Sequence, residues 1–324
     1  MNKLLSLILM LILSIGLVAG CGDDKTPANE NTSNEGSEES NQGGEAYPLT
    51  IKDALDEEVV IDEQPERIVS LIPSNTEIAY ELGLGEEIVG VSDFDNYPED
   101  TADKEKIGGQ ELNIEKIISL KPDLVLAHAS SAHNSTEGLQ QLKDAGIPVL
   151  VVNEAQNFDQ VYESIEMIGK AAGKQQEAGQ IVSEMKEEIE AIKEKAQSIS
   201  EKKSVFIEVS PAPDIYTPGK NTFMDEMLSI INAENAAGDL EGWAKIDQEA
   251  VVEKNPDVII TTYGYYTENA AEQVLSRDGW KDITAIKEKQ VYDVHSDLVA
   301  RSGPRLVEGV EEVAKAVYPE TFNK

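Results

Sequence analysis

Short apolar segments alternate with helical patterns along the chain from residue 47 onward. Seven segments are almost continuously apolar, which is typical of strands buried on both faces of a parallel sheet. These segments are 67–72, 88–91, 124–127, 149–152, 205–209, 258–261 and 291–294. Helical patterns lie between them, for example at 73–82, 114–120 and 136–145, the last followed by Gly146 as a C-terminal cap. The alternation of strands and helices predicts an α/β fold.

One long helical pattern, from Lys174 to Glu201, separates the first four predicted strands from the last three. Its apolar positions recur every three or four residues and form one stripe along the helix. They are Ala178, Ile181, Met185, Ile189, Ile192, Ala196 and Ile199. At 1.5 Å per residue such a helix spans about 40 Å, which is enough to bridge two lobes. A rigid connector is the interpretation that fits two flanking α/β sets, and a coiled-coil dimer is the alternative.

The pattern therefore predicts two Rossmann-like α/β lobes joined by a single long α-helix. The N-terminal lobe is expected at 47–173, the connecting helix at 174–201 and the C-terminal lobe at 202–324.

An internal repeat supports two lobes of similar construction. Residues 113–126 align with residues 247–260, so that Glu115 corresponds to Glu249 and Asp123 to Asp257, each pair 134 positions apart. Both copies predict a helix with an acidic residue near its start, a Pro-Asp break and then a buried strand. Equivalent positions in the two lobes are expected to share a role.

The N-terminus differs in composition from the rest of the chain. Lys3 precedes an apolar run at 4–18, which is shorter than the roughly 20 residues of a membrane-spanning helix and predicts a signal peptide at 1–20. Cys21 follows the small residues Ala19 and Gly20, an arrangement that resembles a bacterial lipobox, in which the cysteine is diacylated. An ordinary secretory peptide is the alternative.

Residues 21–46 are polar and predict a disordered tether.

Composition and charge exclude several functions. The chain has 324 residues with 27 Lys and Arg against 62 Asp and Glu, a net charge of −35, which excludes a protein that binds nucleic acid through basic patches. A single cysteine excludes an intrachain disulfide and a CxxC metal site. The three histidines offer no helical metal pair, and His295, Ser296 and Asp297 are contiguous and cannot form a catalytic triad among themselves.

Several segments resemble one family of transport proteins. Residues 67–78 (RIVSLIPSNTEI), 89–98 (VGVSDFDNYP), 120–126 (LKPDLVL) and 302–309 (SGPRLVEG) look like the substrate-binding proteins of ABC importers for vitamin B12, iron-siderophores and haem. The resemblance covers about residues 48–320 and is nearest to the cobalamin-binding branch. It implies the class III periplasmic-binding-protein fold, in which one long helix joins two α/β lobes and the ligand lies between them.

The resemblance also implies how the protein meets its transporter. Glu115 and Glu249 match the family's two docking glutamates, which form salt bridges with arginines of the permease dimer, and planar guanidinium groups suit such carboxylates. The alternative is that both glutamates only favour the positive end of a helix dipole. The lipobox and tether imply a lipoprotein on the extracellular face of the cell membrane, as in Gram-positive members of the family.

Candidate ligand contacts lie in loops that follow strands, where open α/β sheets bind ligands. Aromatic side chains offer large flat surfaces that suit a macrocycle. The N-terminal lobe is expected to contribute Ser74, Asn75, Phe94, Tyr97 and His128. The C-terminal lobe is expected to contribute Trp243, Tyr263, Tyr265, Tyr266, Asp297 and Arg301. Each could instead be a core or surface residue, and His128 and Phe94 depart from the tryptophan and tyrosine of the better-known cobalamin binder.

The sequence thus predicts a monomeric receptor that captures a corrinoid, cobalamin, and delivers it to a permease dimer with its ATPase. Cobalamin is expected as transported cargo, with no cofactor, no resident metal and no enzymatic activity. The chain has only four arginines, which suits cobalamin's neutral amides better than a tri-anionic catecholate siderophore. Haem and hydroxamate siderophores remain alternatives, as do a metal-cluster enzyme lobe and a purely structural lipoprotein.

Overall fold

The computed structural model describes residues 47–323. The predicted signal peptide, Cys21 and the predicted tether therefore lie outside the described residues.

Thirteen strands are present in the described part of the chain. In chain order they are β1 (Leu49–Lys52), β2 (Glu58–Ile61), β3 (Ile68–Ser70), β4 (Ile88–Val91), β5 (Glu105–Lys106), β6 (Leu124–His128), β7 (Val149–Val152), β8 (Ser204–Glu208), β9 (Tyr216–Pro218), β10 (Glu234–Asn235), β11 (Trp243–Lys245), β12 (Val258–Thr261) and β13 (Val291–Asp293).

Thirteen α-helices connect these strands within residues 47–323. They are α1 (Pro73–Glu81), α2 (Ile114–Ser119), α3 (Ala129–Ala132), α4 (Thr136–Asp144), α5 (Phe158–Ala171), α6 (Gln175–Ala196), α7 (Phe223–Ile230), α8 (Gln248–Lys254), α9 (Ala270–Leu275), α10 (Thr284–Lys287), α11 (Ser296–Ala300), α12 (Leu306–Val317) and α13 (Pro319–Phe322).

Two parallel sheets form the centres of two lobes. The N-terminal sheet has the strand order β5-β4-β3-β6-β7, and the C-terminal sheet has the order β10-β8-β12-β13. Strands β3, β6, β7 and β12 are buried along their whole length, as their continuous apolar sequence predicts. Two antiparallel pairs, β1-β2 and β9-β11, were not anticipated from the sequence. The predicted α/β class with two lobes is confirmed.

The helix between the two sheets is α6, and it is shorter than the sequence predicts. It ends at Ala196, because the chain turns at Ser198, whose hydroxyl donates to the carbonyl of Lys195. Its 22 residues span about 33 Å. The predicted apolar stripe is buried from Ala178 to Ala196, while Ile199 lies beyond the helix and is partly buried.

Helix α6 packs against both lobes. It contacts α5 of the N-terminal lobe and α7, α12 and α13 of the C-terminal lobe, within one hydrophobic core that includes both sheets. Its apolar stripe is therefore covered by the chain itself, which leaves no apolar face for a coiled-coil partner.

The repeat found in the sequence has the same geometry in both lobes. Helices α2 and α8 are each followed by a residue in the left-handed conformation, Lys121 (φ 51°) and Asn255 (φ 45°), directly before the Pro-Asp pair. The chain then enters β6 or β12. This left-handed residue ends the helix and turns the chain toward the sheet, so that the first turns of α2 and α8 occupy equivalent places.

Candidate functional site

A cavity of about 380 Å³ lies between the two lobes. The N-terminal lobe lines it with residues that directly follow β3, β4, β6 and β7, as expected for the carboxyl ends of parallel strands. The C-terminal lobe contributes residues of α7 and β11 and the end of α11 with the two residues that follow it. The lining residues are Ile72, Pro73, Ser74, Phe94, His128, Ser130, Glu154, Ala155, Gln156, Phe223, Trp243, Ala300, Arg301 and Ser302.

Two further cavities continue this cleft. One of about 480 Å³ lies in the N-terminal lobe and shares Ile72, Phe94 and Ser130 with the first. The other, about 260 Å³, shares Trp243, Ala300 and Arg301 with the first and is lined by residues of the C-terminal lobe. The three together form an open groove whose size is suited to a large small-molecule ligand.

Exposed aromatic side chains border this groove. Phe94 is 54% exposed and Trp243 44%, and both line the central cavity. Tyr265, 61% exposed, lines the cavity on the C-terminal side, and the exposed Tyr266 packs edge-on against it with ring centroids 4.8 Å apart. Exposing large apolar rings to water is unfavourable, so a cluster of them indicates a surface that a ligand covers.

Tyr97, predicted as a ligand contact, packs against a protein side chain. Its ring faces the guanidinium of Arg305, 3.9 Å from the ring centroid, and it lines none of the three cavities of the groove. The side chain is 44% exposed. Tyr97 therefore lies beside the lobe junction rather than in the cavity wall.

The structure places Tyr263, which the sequence predicts as a ligand contact, in the core and outside the three cavities of the groove. The side chain is 1% exposed, and its hydroxyl donates to Glu208 Oε1 at 2.5 Å. Glu208 is itself fully buried and accepts two hydrogen bonds from Arg277, both 2.7 Å. Burial raises the pKa of Tyr263, so its hydroxyl stays protonated. The residue anchors the loop that presents Tyr265 and Tyr266.

Asn75 is also placed differently from the prediction. It lies in the first turn of α1, is 1% exposed, and its amide donates to the carbonyl of Ala127 at 2.9 Å. It therefore fastens α1 to the end of β6 and does not line the cavity. Ser74, its neighbour, does line the cavity as expected.

His128, at the end of β6, lines the central cavity but is only 6% exposed. Its Nδ1 accepts the backbone N–H of Ser130 at 3.3 Å and lies 2.8 Å from the hydroxyl of Ser130, while Nε2 is buried without a side-chain partner. Burial lowers the pKa of His128 to about 4, so the ring is neutral near pH 7. A neutral ring whose Nδ1 accepts carries its proton on Nε2.

Arg301, predicted as a ligand contact, lines the central cavity, and its guanidinium is already paired with protein side chains. Its Nη1 donates to Glu77 Oε1 at 2.7 Å and to Asn96 Oδ1 at 2.8 Å, and its Nη2 lies 2.9 Å from Asp297 Oδ1. Asn96 also donates to Asp297 Oδ2 at 2.9 Å. These contacts join the two lobes, because Glu77 and Asn96 belong to the N-terminal lobe.

Glu77, Asn96 and Arg305 were not anticipated as functional residues. Arg305 Nη1 approaches the same Glu77 oxygen at 3.2 Å, so one carboxylate oxygen faces two guanidinium groups. Burial raises the pKa of Glu77, and the two arginines act in the opposite direction. The signal in the sequence that pointed to Glu77 was a glutamate within an otherwise buried helix. Its partners Arg301 and Arg305 are more than 200 residues away in the chain, so the sequence does not show the pairing.

The two repeated glutamates lie away from the groove. Glu115 is in the first turn of α2 and Glu249 in the first turn of α8, and both are exposed. Neither lines any of the three cavities of the groove. The arrangement leaves one accessible carboxylate at the equivalent place on each lobe.

Within residues 47–323 no group of three or more histidine, cysteine, aspartate or glutamate side chains is placed to hold a metal ion. Among the helices described, none has the length and apolar character to cross a membrane.

A ligand-sized groove between two parallel-sheet lobes joined by one helix defines the class III substrate-binding proteins. The chain belongs to the periplasmic binding protein family, whose profile matches residues 68–298. This family contains substrate-binding transport proteins, so the bound molecule is cargo rather than a cofactor. The resemblance found in the sequence is confirmed at the level of family and fold, and the chain is a substrate-binding protein of an ABC transporter.

Two relatives illustrate the range of similarity. The ABC transporter substrate-binding lipoprotein YvrC of Bacillus subtilis (strain 168) is 53% identical over 316 residues, covering 97% of each chain. The vitamin B12-binding protein of Vibrio campbellii (strain ATCC BAA-1116) is 30% identical over 277 residues, covering 83% of this chain and 94% of the relative.

Solved structures share the fold. A possible iron-binding (periplasmic solute-binding) protein from Staphylococcus epidermidis ATCC 12228 has a TM-score of 0.73 and 39% identity, covering 79% of this chain and 100% of that one. The apo form of the haem-binding protein RhuT from Roseiflexus sp. RS-1 has a TM-score of 0.72 and 27% identity, with 79% and 99% covered.

Proposed function

We propose that this protein is a lipid-anchored extracellular receptor that binds a corrinoid, cobalamin, in the inter-lobe groove and delivers it to an ABC permease dimer with its ATPase. The observation that carries the choice of ligand is the charge of the groove. Among the described residues, Arg301 is the single lysine or arginine that lines its cavities, and Glu77 and Asp297 already pair with it.

An anionic ligand gains little in such a groove. Glu111 lines the cavity of the N-terminal lobe and Glu154 the central one, and neither is offset there by a free cation. Burying unpaired negative charge beside carboxylates is costly. Cobalamin presents neutral amides, one phosphodiester and a broad macrocycle, which suits Phe94, Trp243 and Tyr265 as apolar contacts.

The vitamin B12-binding relative from Vibrio campbellii supports this ligand, since the alignment covers nearly its whole length. The second candidate is a ferric siderophore or haem, which the iron-binding structure from Staphylococcus epidermidis favours through its 39% identity. Haem iron needs an axial ligand such as an imidazole or a tyrosine phenol. The exposed Tyr265 of the groove offers the second kind. His128 is a poor imidazole ligand as placed, because Nδ1 is hydrogen bonded and Nε2 is buried.

Delivery to the permease is assigned to Glu115 and Glu249. Both are exposed, both lie in the first turn of equivalent helices, and both are outside the groove. Two carboxylates on two similar lobes can each meet an arginine of one subunit of a symmetric permease dimer. Retention at the membrane is assigned to Cys21, and the tether at 21–46 would let the lobes reach the permease. The receptor is proposed to act as a monomer.

The test is the visible absorption of the purified full chain after incubation with cyanocobalamin, haemin or a ferric hydroxamate, followed by gel filtration. We expect cyanocobalamin to co-elute with the protein in equimolar amount. Co-elution of haemin or the ferric hydroxamate in its place would replace the corrinoid by the second candidate. Binding of none of the three would overturn the receptor assignment for this ligand class.

A further inference from the structure

The carboxylate of Glu77 connects the two lobes through a single oxygen. Glu77 is in α1, its side chain is 2% exposed, and Oε1 is 2.7 Å from Arg301 Nη1 and 3.2 Å from Arg305 Nη1. The two arginine side chains are 14% and 19% exposed. These three groups are therefore largely removed from water, where charge pairing is strong and an unpaired charge is expensive.

One of the two arginines lines the groove, and the other packs on an aromatic ring beside the lobe junction. Arg301 lines both the central cavity and the cavity of the C-terminal lobe. Arg305 lies over the ring of Tyr97, 3.9 Å from its centroid. Because Glu77 fixes both guanidinium groups, it fixes the position of a cavity wall and of the aromatic ring beside the lobe junction.

Charge balance follows from the same contacts. Glu77 and Asp297 supply two carboxylates, and Arg301 and Arg305 supply two guanidinium groups, so this four-residue cluster is neutral. An arginine in a groove is ordinarily the preferred partner for carboxylate, catecholate or phosphate oxygens. Here the guanidinium donates to protein acceptors instead: Glu77, Asn96 and Asp297.

We propose that Glu77, together with Asp297, determines the charge class of the ligand: it positions Arg301 and cancels its charge, so that the groove selects neutral metal chelates over anionic ones. Glu77 acts through Arg301 and is a positioning residue rather than a ligand contact. The inference rests on the proposed receptor function and adds the group that sets its selectivity.

The experiment compares two probes by tryptophan-fluorescence titration of the purified full chain: cyanocobalamin as the neutral chelate and ferric enterobactin as the tri-anionic one. The variants are Glu77→Gln and Asp297→Asn, each of which removes one carboxylate from the cluster with little change of shape. Glu81→Gln is the matched control, since Glu81 is an exposed glutamate one turn further along α1.

In Glu77→Gln and in Asp297→Asn, the ratio of the two dissociation constants should shift by about tenfold or more toward the anion, about 1.4 kcal/mol of selectivity. The control should keep the wild-type ratio. The double variant Glu77→Gln/Arg305→Gln, which again balances carboxylate and guanidinium charges, should return toward that ratio. Asp297→Asn carries the test if Glu77→Gln does not fold, because Asp297 is less buried than Glu77.

A merely structural role would weaken both probes together or neither, and an unchanged ratio in the variants that fold overturns the inference. If the wild type does not bind cyanocobalamin, the proposed ligand is wrong. The inference about Glu77 is then judged by ferric enterobactin alone, whose affinity must still be higher in the variants than in the wild type.

Discussion

Asp123 and Asp257 have the same role in the two lobes, 134 residues apart. Asp123 accepts the backbone N–H groups of Glu66 and Arg67 at 2.9 Å, and Asp257 accepts that of Ser204 at 2.8 Å. In return, the N–H of each aspartate donates to the carbonyl of Arg67 or of Ser204. Each aspartate thus joins the start of one central strand to the start of its neighbour. The glutamates eight residues earlier are held in equivalent positions as a result.

Changing Glu115 or Glu249 to alanine should reduce transport several-fold, and changing both should reduce it by more than about tenfold, because each removes one interfacial charge pair. Ligand affinity should not change, since neither residue lines the groove. Radiolabelled cobalamin uptake in cells that lack the native receptor measures the first effect, and equilibrium binding measures the second.

Lysine at either position should impair transport more than alanine, because it places like charges face to face. The defect of the alanine variants should shrink at high salt, where exposed charges are screened over about 8–10 Å. Glu253→Ala, on the last turn of α8, is the matched control. If the double alanine variant takes up cobalamin as fast as the wild type, the two glutamates have no docking role and the repeat reflects only a shared fold.

Replacing Cys21 by serine should release most of the protein into the medium, because a chain with a net charge of −35 gains no electrostatic attraction from anionic lipid. Immunoblots of membrane and medium fractions after a high-salt wash measure the distribution. Ser37→Ala, within the predicted tether, is the control and should remain with the membranes. Sedimentation of the serine variant with membranes would contradict lipid anchoring through this residue.

The two lobes should move little when cyanocobalamin binds. Helix α6 is buried against both lobes, and the contacts of Arg301 with Glu77 and Asn96 add a second connection across the groove. A single packed helix resists the hinge bending that several flexible crossovers allow. Small-angle scattering curves with and without ligand should superimpose. A clear decrease of the radius of gyration would indicate full domain closure.

His128 should make the unliganded protein less stable as the pH falls from about 6.5 to about 4. Its pKa is about 4 when folded and about 6.5 when unfolded, so the unfolded chain binds the extra proton in this window and stability rises with pH there. Over this whole window, the loss of unfolding free energy due to His128 amounts to about 3 kcal/mol.

The measurement is the free energy of urea unfolding at several pH values for wild type, His128→Gln and His133→Gln. His133 is exposed and serves as the control. Because carboxylates titrate in the same range in all three proteins, the informative quantity is the difference between the curves. A pH dependence in His128→Gln that equals the wild type would contradict a neutral buried imidazole.

The local elements and their repetition could be predicted from the amino-acid sequence alone. Apolar runs such as 124–127 and 149–152 predicted buried parallel strands because both faces of those strands are covered. The stripe on α6 predicted its burial, and the offset between Glu115 and Glu249 predicted equivalent places on two lobes. Each of these signals lies within one element or in the comparison of two short segments.

Which polar and aromatic side chains face the groove depends on the tertiary structure. Tyr263, Tyr265 and Tyr266 lie within four residues of one another, yet Tyr263 turns inward because Glu208 and Arg277 offer a buried partner for its hydroxyl. Arg301 is neutralised by Glu77, a residue 224 positions earlier in the chain. Such pairings depend on which separate elements are in contact in the folded chain. Spacing and periodicity in a single sequence describe local structure and do not show these contacts.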